Sequence, residues 1–412
     1  MLSLSTLRIA WRNLWRNPKR TVFAVTAITV GQLAFLGTAG LTRGYAEQYF
    51  QTATGPMLGH LVVNAEGWRD DRELDNTLSE LSAVVGAVRG VDGVERVSPR
   101  IYAPAMAAVE REGFMCTVVG VEPDREAWDD GLLSPDEAAE LGEGSVLVGR
   151  RLAERERVPA GIELAIIGQD VEGSIASDLF IVAGTLGGNV ALVNDLGVVM
   201  SLSDAQELLR MGDEAHELVV HAERRDALDA LADSLRALPE LSGARVSTWR
   251  DVAPQIAAII EVMGVSHYFV LIIVFIAAAA GIANTMLMST FERNREFGML
   301  LSLGCGPGRL SRIVLIEALL IGCIGVVAGT LIGAAAVHVL GETGINYAAL
   351  VGADEMREGS FAGLEISFLS YPTLRLSDIV GGIGAILGTS VLSVIWPILH
   401  VVRLEPVKAM RA

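Results

Sequence analysis

Four long stretches without an acidic or basic (Asp, Glu, Lys or Arg) residue, 21–41, 262–291, 318–341 and 379–402, divide this chain unevenly. A helix needs about 20 predominantly apolar residues to cross the hydrocarbon core of a bilayer, so each stretch is long enough. Backbone amides in that core must be satisfied within the segment, which makes spans of this composition helices. One stretch lies near the start, and three follow a polar insert at 44–262. The expected fold is a membrane α-helical protein with four transmembrane helices in a 1 + 3 arrangement and a large α/β extracytoplasmic domain inserted between spans one and two. The first stretch also exceeds the roughly 7–15 apolar residues of a signal peptide, so it is read as a retained span.

Charge is sorted along the chain as clearly as hydropathy. The net charge is −17 with 51% hydrophobic residues, too apolar for an ordinary soluble protein. Residues 1–20 hold Arg8, Arg12, Arg16, Lys19 and Arg20 and no acid. The link after span two holds Arg293, Arg295, Arg309 and Arg312 against Glu292 and Glu296, and the tail holds Arg403, Lys408 and Arg411 against Glu405. The insert has 39 acids against 17 arginines, and the loop 342–376 has five acids against two arginines. Basic short flanks mark the cytoplasmic side. With four spans, every basic segment falls on one side and both acidic segments on the other. The expected topology is multi-pass, with both termini cytoplasmic and the insert on the outer side. The acidity of the insert argues against nucleic acid or an anionic lipid surface as its direct partner.

The expected segments are a cytoplasmic-face amphipathic helix at 1–20, a first span at 21–43, the periplasmic insert at 44–262 and a second span at 263–290. A cytoplasmic loop follows at 291–312, then a third span at 313–341, a periplasmic loop at 342–376, a fourth span at 377–402 and a cytoplasmic tail at 403–412. Within the leader, Trp11 and Trp15 join Leu4, Leu7, Ile9 and Leu14 as apolar residues, while Arg8, Arg12 and Arg16 step by four along a polar stripe. That pattern suits a helix lying in the interface plane; a basic flank that happens to be helical is the plainer reading. Asn17-Pro18 ends it and starts the first span.

The insert reads as α/β. Strand-like 60–65 is followed by helical spacing over 76–89 and strand-like 93–97, 107–109 and 116–121. A similar unit closes the insert, with strand 217–221, helix 226–238 and strand 245–247. Residues 145–200 between them are short strands punctuated by glycine. The reading is one split α/β subdomain interrupted by a β-rich subdomain at about 145–200. No strong breaker separates 44–51 or 251–261 from the adjacent spans, so both helices are expected to extend beyond the membrane as a stalk.

Several chemistries fail on residue types alone. The only lysines are Lys19 and Lys408, preceded by Pro18 and Val407. A P-loop needs Gly-Lys-Ser/Thr at the phosphates, so Gly304-Cys305-Gly306-Pro307-Gly308 is read as a tight turn. His216 and His221 are five residues apart, not four as in a zinc-binding helix, and in a strand they point to opposite faces. No catalytic constellation and no metal site are expected. The cysteines, Cys116, Cys305 and Cys323, fall in three separate segments, so the insert must rely on its own core. Glu317 is the one acid near a membrane interior. An intramembrane carboxylate is a functional candidate, and an ion pair with the nearby Arg309 or Arg312 is the simpler expectation.

The richest segment is 291–325. A charged cluster leaves span two, an apolar helix follows at 297–303, and the glycine turn leads into span three. An exposed apolar helix at this surface is either a membrane-skimming segment or a contact for a partner. The run R-x-R-E-F-G-M-L-x-S-L-G at 293–304, with I-E-A-L-L-I-G at 316–322, resembles the permeases of the MacB, LolC/LolE and FtsX type. So do W-R-N-L-W-R-N-P-K-R at 11–20, G-H-L-V-V at 59–63, the stretch 149–161 and L-E-P-V-K-A-M-R at 404–411. Gly-His after span one and the long loop 342–376 lean towards the lipoprotein-releasing branch.

The resemblance implies a permease subunit of an ATP-driven ABC transporter, paired as a homodimer or with a paralogue. It implies two copies of a separate ABC ATPase that carry ATP and magnesium, with no cofactor on this chain; only 20 residues precede span one. It also implies a coupling helix, carried onto Glu296, Phe297, Met299, Leu300, Leu303 and Gly304. Cargo would be a lipoprotein or other amphiphile taken from the outer leaflet. A periplasmic carrier or adaptor is a further possible partner, although the family's proline-bearing hook has no clear counterpart. Two alternatives stay open: an FtsX-like signalling permease that activates an extracytoplasmic partner, and MacB-like export of small molecules or peptides.

Overall fold

The computed structural model describes residues 4–110, 112–128, 131–187, 190–346, 358–361, 364–367 and 369–403. The tail motif at 404–411 and part of the loop 342–376 lie outside the described residues. Two compact units emerge, one from 1–46, 261–354 and 369–412, the other from 47–260 and 355–368.

The first unit is helical. Its elements are α1 (Leu4–Leu14), α2 (Pro18–Ala53, of which residues from 47 belong to the second unit), α3 (Pro254–Glu292, of which residues up to 260 belong to the second unit), α4 (Asn294–Ser302), α5 (Pro307–Thr343), α6 (Leu376–Ser393) and α7 (Ile395–Val402). α2, α3, α5 and the α6–α7 pair are each long and apolar enough to cross a membrane. α2 and α3 have 36 and 39 residues, more than the about 20 a bilayer requires.

Small residues decide how these helices meet. Gly325, Gly329 and Gly333 recur at every fourth position of α5, which puts them on one face. A Cβ at Gly325 would lie 2.7 Å from Ile28, and one at Gly329 would lie 2.6 Å from Gln32 and 2.8 Å from the Thr29 carbonyl. The α5 backbone therefore rests directly on α2. Thr29 donates to the Gly325 carbonyl at 3.2 Å, and the buried Gln32 donates to Thr330 at 3.1 Å. Lipid tails are as apolar as leucine, so close packing and such hydrogen bonds hold helices together where the hydrophobic effect does not. Gly322 seats Ser390 of α6 in the same way. Away from this seam, Arg43 grips Asp378 with two hydrogen bonds of 2.7 and 3.1 Å.

The second unit is built on one nine-stranded sheet. Its strands are β1 (Leu61–Ala65), β2 (Val94–Val109), β3 (Glu112–Val121), β4 (Ser145–Gly149), β5 (Glu163–Gln169), β6 (Ile175–Leu186), β7 (Gly197–Ser201), β8 (Glu217–Ala222) and β9 (Ala244–Thr248). The order is β3-β7-β4-β6-β5-β2-β8-β1-β9, and β3 also pairs with β2. That extra pairing closes β2, β3, β7, β4, β6 and β5 into a ring. The remaining strands, β8, β1 and β9, extend the sheet from β2, with β1 held between β8 and β9.

Three sequence expectations change here. The separate strands at 93–97 and 107–109 are parts of a single 16-residue strand, β2, which contains Pro99 and Pro104. The β-rich part is wider than 145–200, because the ring needs β2 and β3 as well. The helix read over 76–89 spans only Leu81–Arg89. Leu78 exchanges two backbone hydrogen bonds with Ala215, and Glu80 has φ of 53°, so the chain cannot be helical until it has passed them. The core of this unit runs from Leu61, Val63 and Trp68 through Val97, Ile101, Val118 and Val148 to Leu218, Leu235 and Trp249.

Candidate functional site

At one end of the helical unit, charged residues of the α1–α2 link, α2, α3, the α3–α4 link, α4 and α5 come together. Arg16, just after α1, pairs with Glu296 of α4 at 2.8 Å. Glu292, the last residue of α3, takes Arg20 of α2 at 2.6 Å and the Asn17 amide at 3.1 Å. Arg293 then turns inward. Its Nη1 donates to Glu317 of α5 at 3.1 Å, its Nε reaches Glu296 at 3.4 Å, and its guanidinium lies 4.8 Å over the Phe297 ring.

The Arg293–Glu317 pair is the deepest part of this brace, with side chains 10% and 6% exposed. Charges so far from water are tolerated only when paired. The partner of Glu317 is thus Arg293, not Arg309 or Arg312 as their nearness in sequence suggested. Arg312 lies five residues before Glu317 on the same helix, off its face, and both Arg309 and Arg312 are exposed. The sequence signal for the brace was the charged cluster at the end of span two. What it lacked was the direction in which Arg293 points.

α4 is anchored along one side and open along the other. Phe297 is buried among Leu14, Met286, Leu310 and Val314. Met299, Leu300 and Leu303 are 53%, 38% and 79% exposed. The six residues assigned to the coupling helix therefore divide: Phe297 and Glu296 fasten the helix, while Met299, Leu300 and Leu303 face outward. Gly304 ends it with φ of +87°, as the amides of Gly304 and Cys305 fold back onto Leu301 and Leu300. A left-handed residue here is the usual glycine helix stop.

α1 packs Ala10 and Leu14 inward and leaves Leu7, Ile9, Trp11 and Trp15 outward. The two tryptophan rings meet edge to face at 6.0 Å. Arg8 and Arg12 are exposed, and Arg16 is drawn into the brace. An arrangement of this kind can transmit a displacement of α4 to α1, α3 and α5, because each is tied to it by a named ion pair or by Phe297.

In the second unit, His216, just before β8, and His221, within it, have different neighbours. His216 stacks on Trp68 at 5.3 Å, accepts from the Tyr102 amide and donates to the Leu74 carbonyl. His221 meets His60 and Trp128. Burial lowers the pKa of both, and that of His221 falls from 6.5 to about 3, first through desolvation and then through His60, Arg100 and Arg96. A histidine with a lowered folded pKa binds fewer protons folded than unfolded between those values, so stability falls as pH drops from 6.5 towards 3. The urea midpoint of the wild-type chain should decline over that window. His221→Phe should flatten the decline, and an unchanged slope would overturn the assignment.

Two family profiles match the chain. The FtsX-like permease C-terminal profile covers residues 268–406, and the MacB-like periplasmic core domain profile covers 21–238. The "Macrolide export ATP-binding/permease protein MacB" of Nitrobacter winogradskyi is 25% identical over 347 residues, 79% of this chain and 51% of that protein. The "ABC transporter permease YtrF" of Bacillus subtilis is 41% identical over 64 residues, 16% of this chain and 15% of that protein. The chain thus spans about half the length of the first of these relatives and a smaller share of the second. Among solved structures, the periplasmic region of MacB from Actinobacillus actinomycetemcomitans aligns at TM-score 0.35 and 12% identity over 50% of this chain and 94% of that one. The extracellular domain of the ABC-type transporter YknZ from Gram-positive bacteria aligns at 0.32 and 14%, over 46% and 99%.

Proposed function

Since the chain belongs to the MacB/FtsX-type ABC transporter permeases, we propose that it is the membrane subunit of an ATP-driven machine that extracts or exports an amphiphile, a lipoprotein above all, from the outer leaflet. Its basic end is then cytoplasmic and its acidic insert periplasmic. Two copies of a separate ATPase, holding ATP and magnesium, work beneath a pair of permeases, and a periplasmic carrier or adaptor receives the cargo.

The observation that carries this reading is the division of α4. Its apolar residues Met299, Leu300 and Leu303 are exposed while Phe297, Glu296 and Arg293 lock its other side. A partner pressing on the outward face would move a braced element rather than a loose loop. The exposed apolar faces of α2 and α3, among them Phe23, Val30, Phe269 and Ile273, suit acyl chains as well as lipid.

The test joins Met299→Asp to Leu300→Asp. Both side chains point outward, so insertion and helix packing should survive. In the complex reconstituted with its ATPase, stimulated hydrolysis should fall to the level of the ATPase alone. Unchanged stimulation would remove α4 from the coupling role. A second measurement follows release of a fluorescent lipoprotein from proteoliposomes. Stimulated hydrolysis with activation of a periplasmic partner and no release would replace transport by signalling.

A further inference from the structure

In the second unit, four aromatic rings stand in a row. Phe50 stacks on His60 at 5.5 Å, His60 meets His221 edge-on at 5.4 Å, and His221 meets Trp128 at 5.1 Å. A guanidinium covers each end: Arg225 lies 4.2 Å over Phe50, and Arg96 lies 4.0 Å over Trp128. Beside the row is a cavity of about 190 Å³ lined by Gln51, Thr54, Glu95, Arg96, His221 and Arg225 among others. His221 is only 9% exposed, and its Nε2 has no hydrogen-bond partner among the described residues. His60 accepts from the Ala222 amide through Nδ1 at 2.9 Å, which leaves its proton on Nε2.

The charges around this cavity differ from those of the insert as a whole. Arg225 is shared with Glu47, whereas Arg96 has no ion pair among the described residues. Glu95 is the one acid on the described cavity wall. Burial and then Arg225 lower the pKa of His60, outweighing Glu95, and no acid is among the causes acting on His221. After burial, the charged groups that act on His221 are thus cationic, although the domain as a whole is acidic.

We propose that this cavity is a binding site for a single small oxyanion, a phosphate or carboxylate group, held by Arg96, with Arg225 a second cation on the same wall. Arg96, over the Trp128 ring and without an ion pair among the described residues, can offer its N–H edge to an oxyanion with two hydrogen bonds, whereas Arg225 already gives part of its edge to Glu47. The cavity is about six times the ~30 Å³ share of one water in the liquid, enough for a phosphate with a short substituent. The phosphate could be free or could belong to a lipid headgroup. The acidic surroundings repel an extended anionic surface but admit one group.

The experiment uses the full chain in phosphatidylcholine nanodiscs, titrated with inorganic phosphate and with succinate and followed by tryptophan fluorescence and calorimetry. A parallel series of discs, without added phosphate or succinate, raises the phosphatidylglycerol fraction stepwise. Saturable binding of phosphate or succinate in phosphatidylcholine discs upholds the site for a free ligand. Saturation confined to phosphatidylglycerol discs upholds it for a headgroup. In either case Arg96→Gln should weaken binding by about tenfold or more, as loss of a charge-assisted pair does. Glu95→Gln should tighten binding several-fold by removing the competing acid, and this variant leaves both stacked guanidiniums in place. Absence of saturable binding with all three probes would overturn the proposal, as would equal affinity in wild type, Arg96→Gln and Glu95→Gln.

Discussion

Glu126→Leu is expected to destabilise the insert by about 3–5 kcal/mol, the usual cost of leaving a buried charge without its partner. Glu126 and Arg100 are both fully buried. Arg100 Nε and Nη2 donate to the two carboxylate oxygens at 2.6 and 2.8 Å, and Nη1 donates to the Met57 carbonyl at 2.9 Å. Burial by itself lowers the Arg100 pKa; Glu126 opposes that, and the net shift is upward. Removing the carboxylate leaves a cation that cannot reach water. The double variant Arg100→Met/Glu126→Leu should recover most of the loss, because matched apolar groups often replace a buried pair at little cost. Urea unfolding of the full chain in detergent, followed by tryptophan fluorescence and by hydrogen exchange in β2, reads both results. A loss below about 1 kcal/mol for Glu126→Leu would put the pair in the range of exposed ion pairs and refute the account.

Gly329→Val should separate α2 from α5. The first added carbon already lies 2.6 Å from the Gln32 Cβ and 2.8 Å from the Thr29 carbonyl oxygen. Neither is the free end of a flexible side chain, so a helix has to move. Overpacking of this kind costs about 1–3 kcal/mol per site, and here it also breaks the bonds from Gln32 to Thr330 and from Thr29 to Gly325. Gly325→Val with Gly329→Val should prevent recovery of folded protein from the membrane. Gly384→Ala and Gly388→Ala in α6, where an added Cβ meets nothing within 4 Å, are the controls. Fluorescence-detected size exclusion after heating in detergent measures the effect. Equal melting of Gly329→Val and Gly388→Ala would refute the seam.

The sequence and the structure agree most where one physical rule dominates. Absence of charge over about 20 residues is enough to mark a span, and all four helices follow from it. Alternation and turn residues marked β1, β8 and β9. They failed for β2, where Pro99 and Pro104 masked a continuous strand, and for the start of helix Leu81–Arg89, which Ala215 delays from 134 residues away. Ring closure through β3 pairing with both β2 and β7 leaves no local trace, since it depends on distant registers. In the candidate site, residue types were legible and directions were not. Helical spacing put Phe297, Met299 and Leu300 on one short helix, yet which of them turned inward depended on Leu14 and Leu310. Arg293 escaped notice because a charge beside a membrane is ordinarily read as a flank.

The way the chain enters and leaves the insert has a mechanical result. β1 begins at Leu61 and β9 ends at Thr248, and these two residues pair with each other. Both tethers thus attach to the same rung of an antiparallel ladder. If the chain segments before Leu61 and after Thr248 are drawn apart, the strands peel from that rung, one hydrogen bond at a time, starting near the contact between the Trp249 amide and the His60 carbonyl. If the two segments travel together along the strand axis, no rung is loaded. A load that draws the two segments apart therefore falls on that terminal rung, whereas a displacement they share along the strands does not.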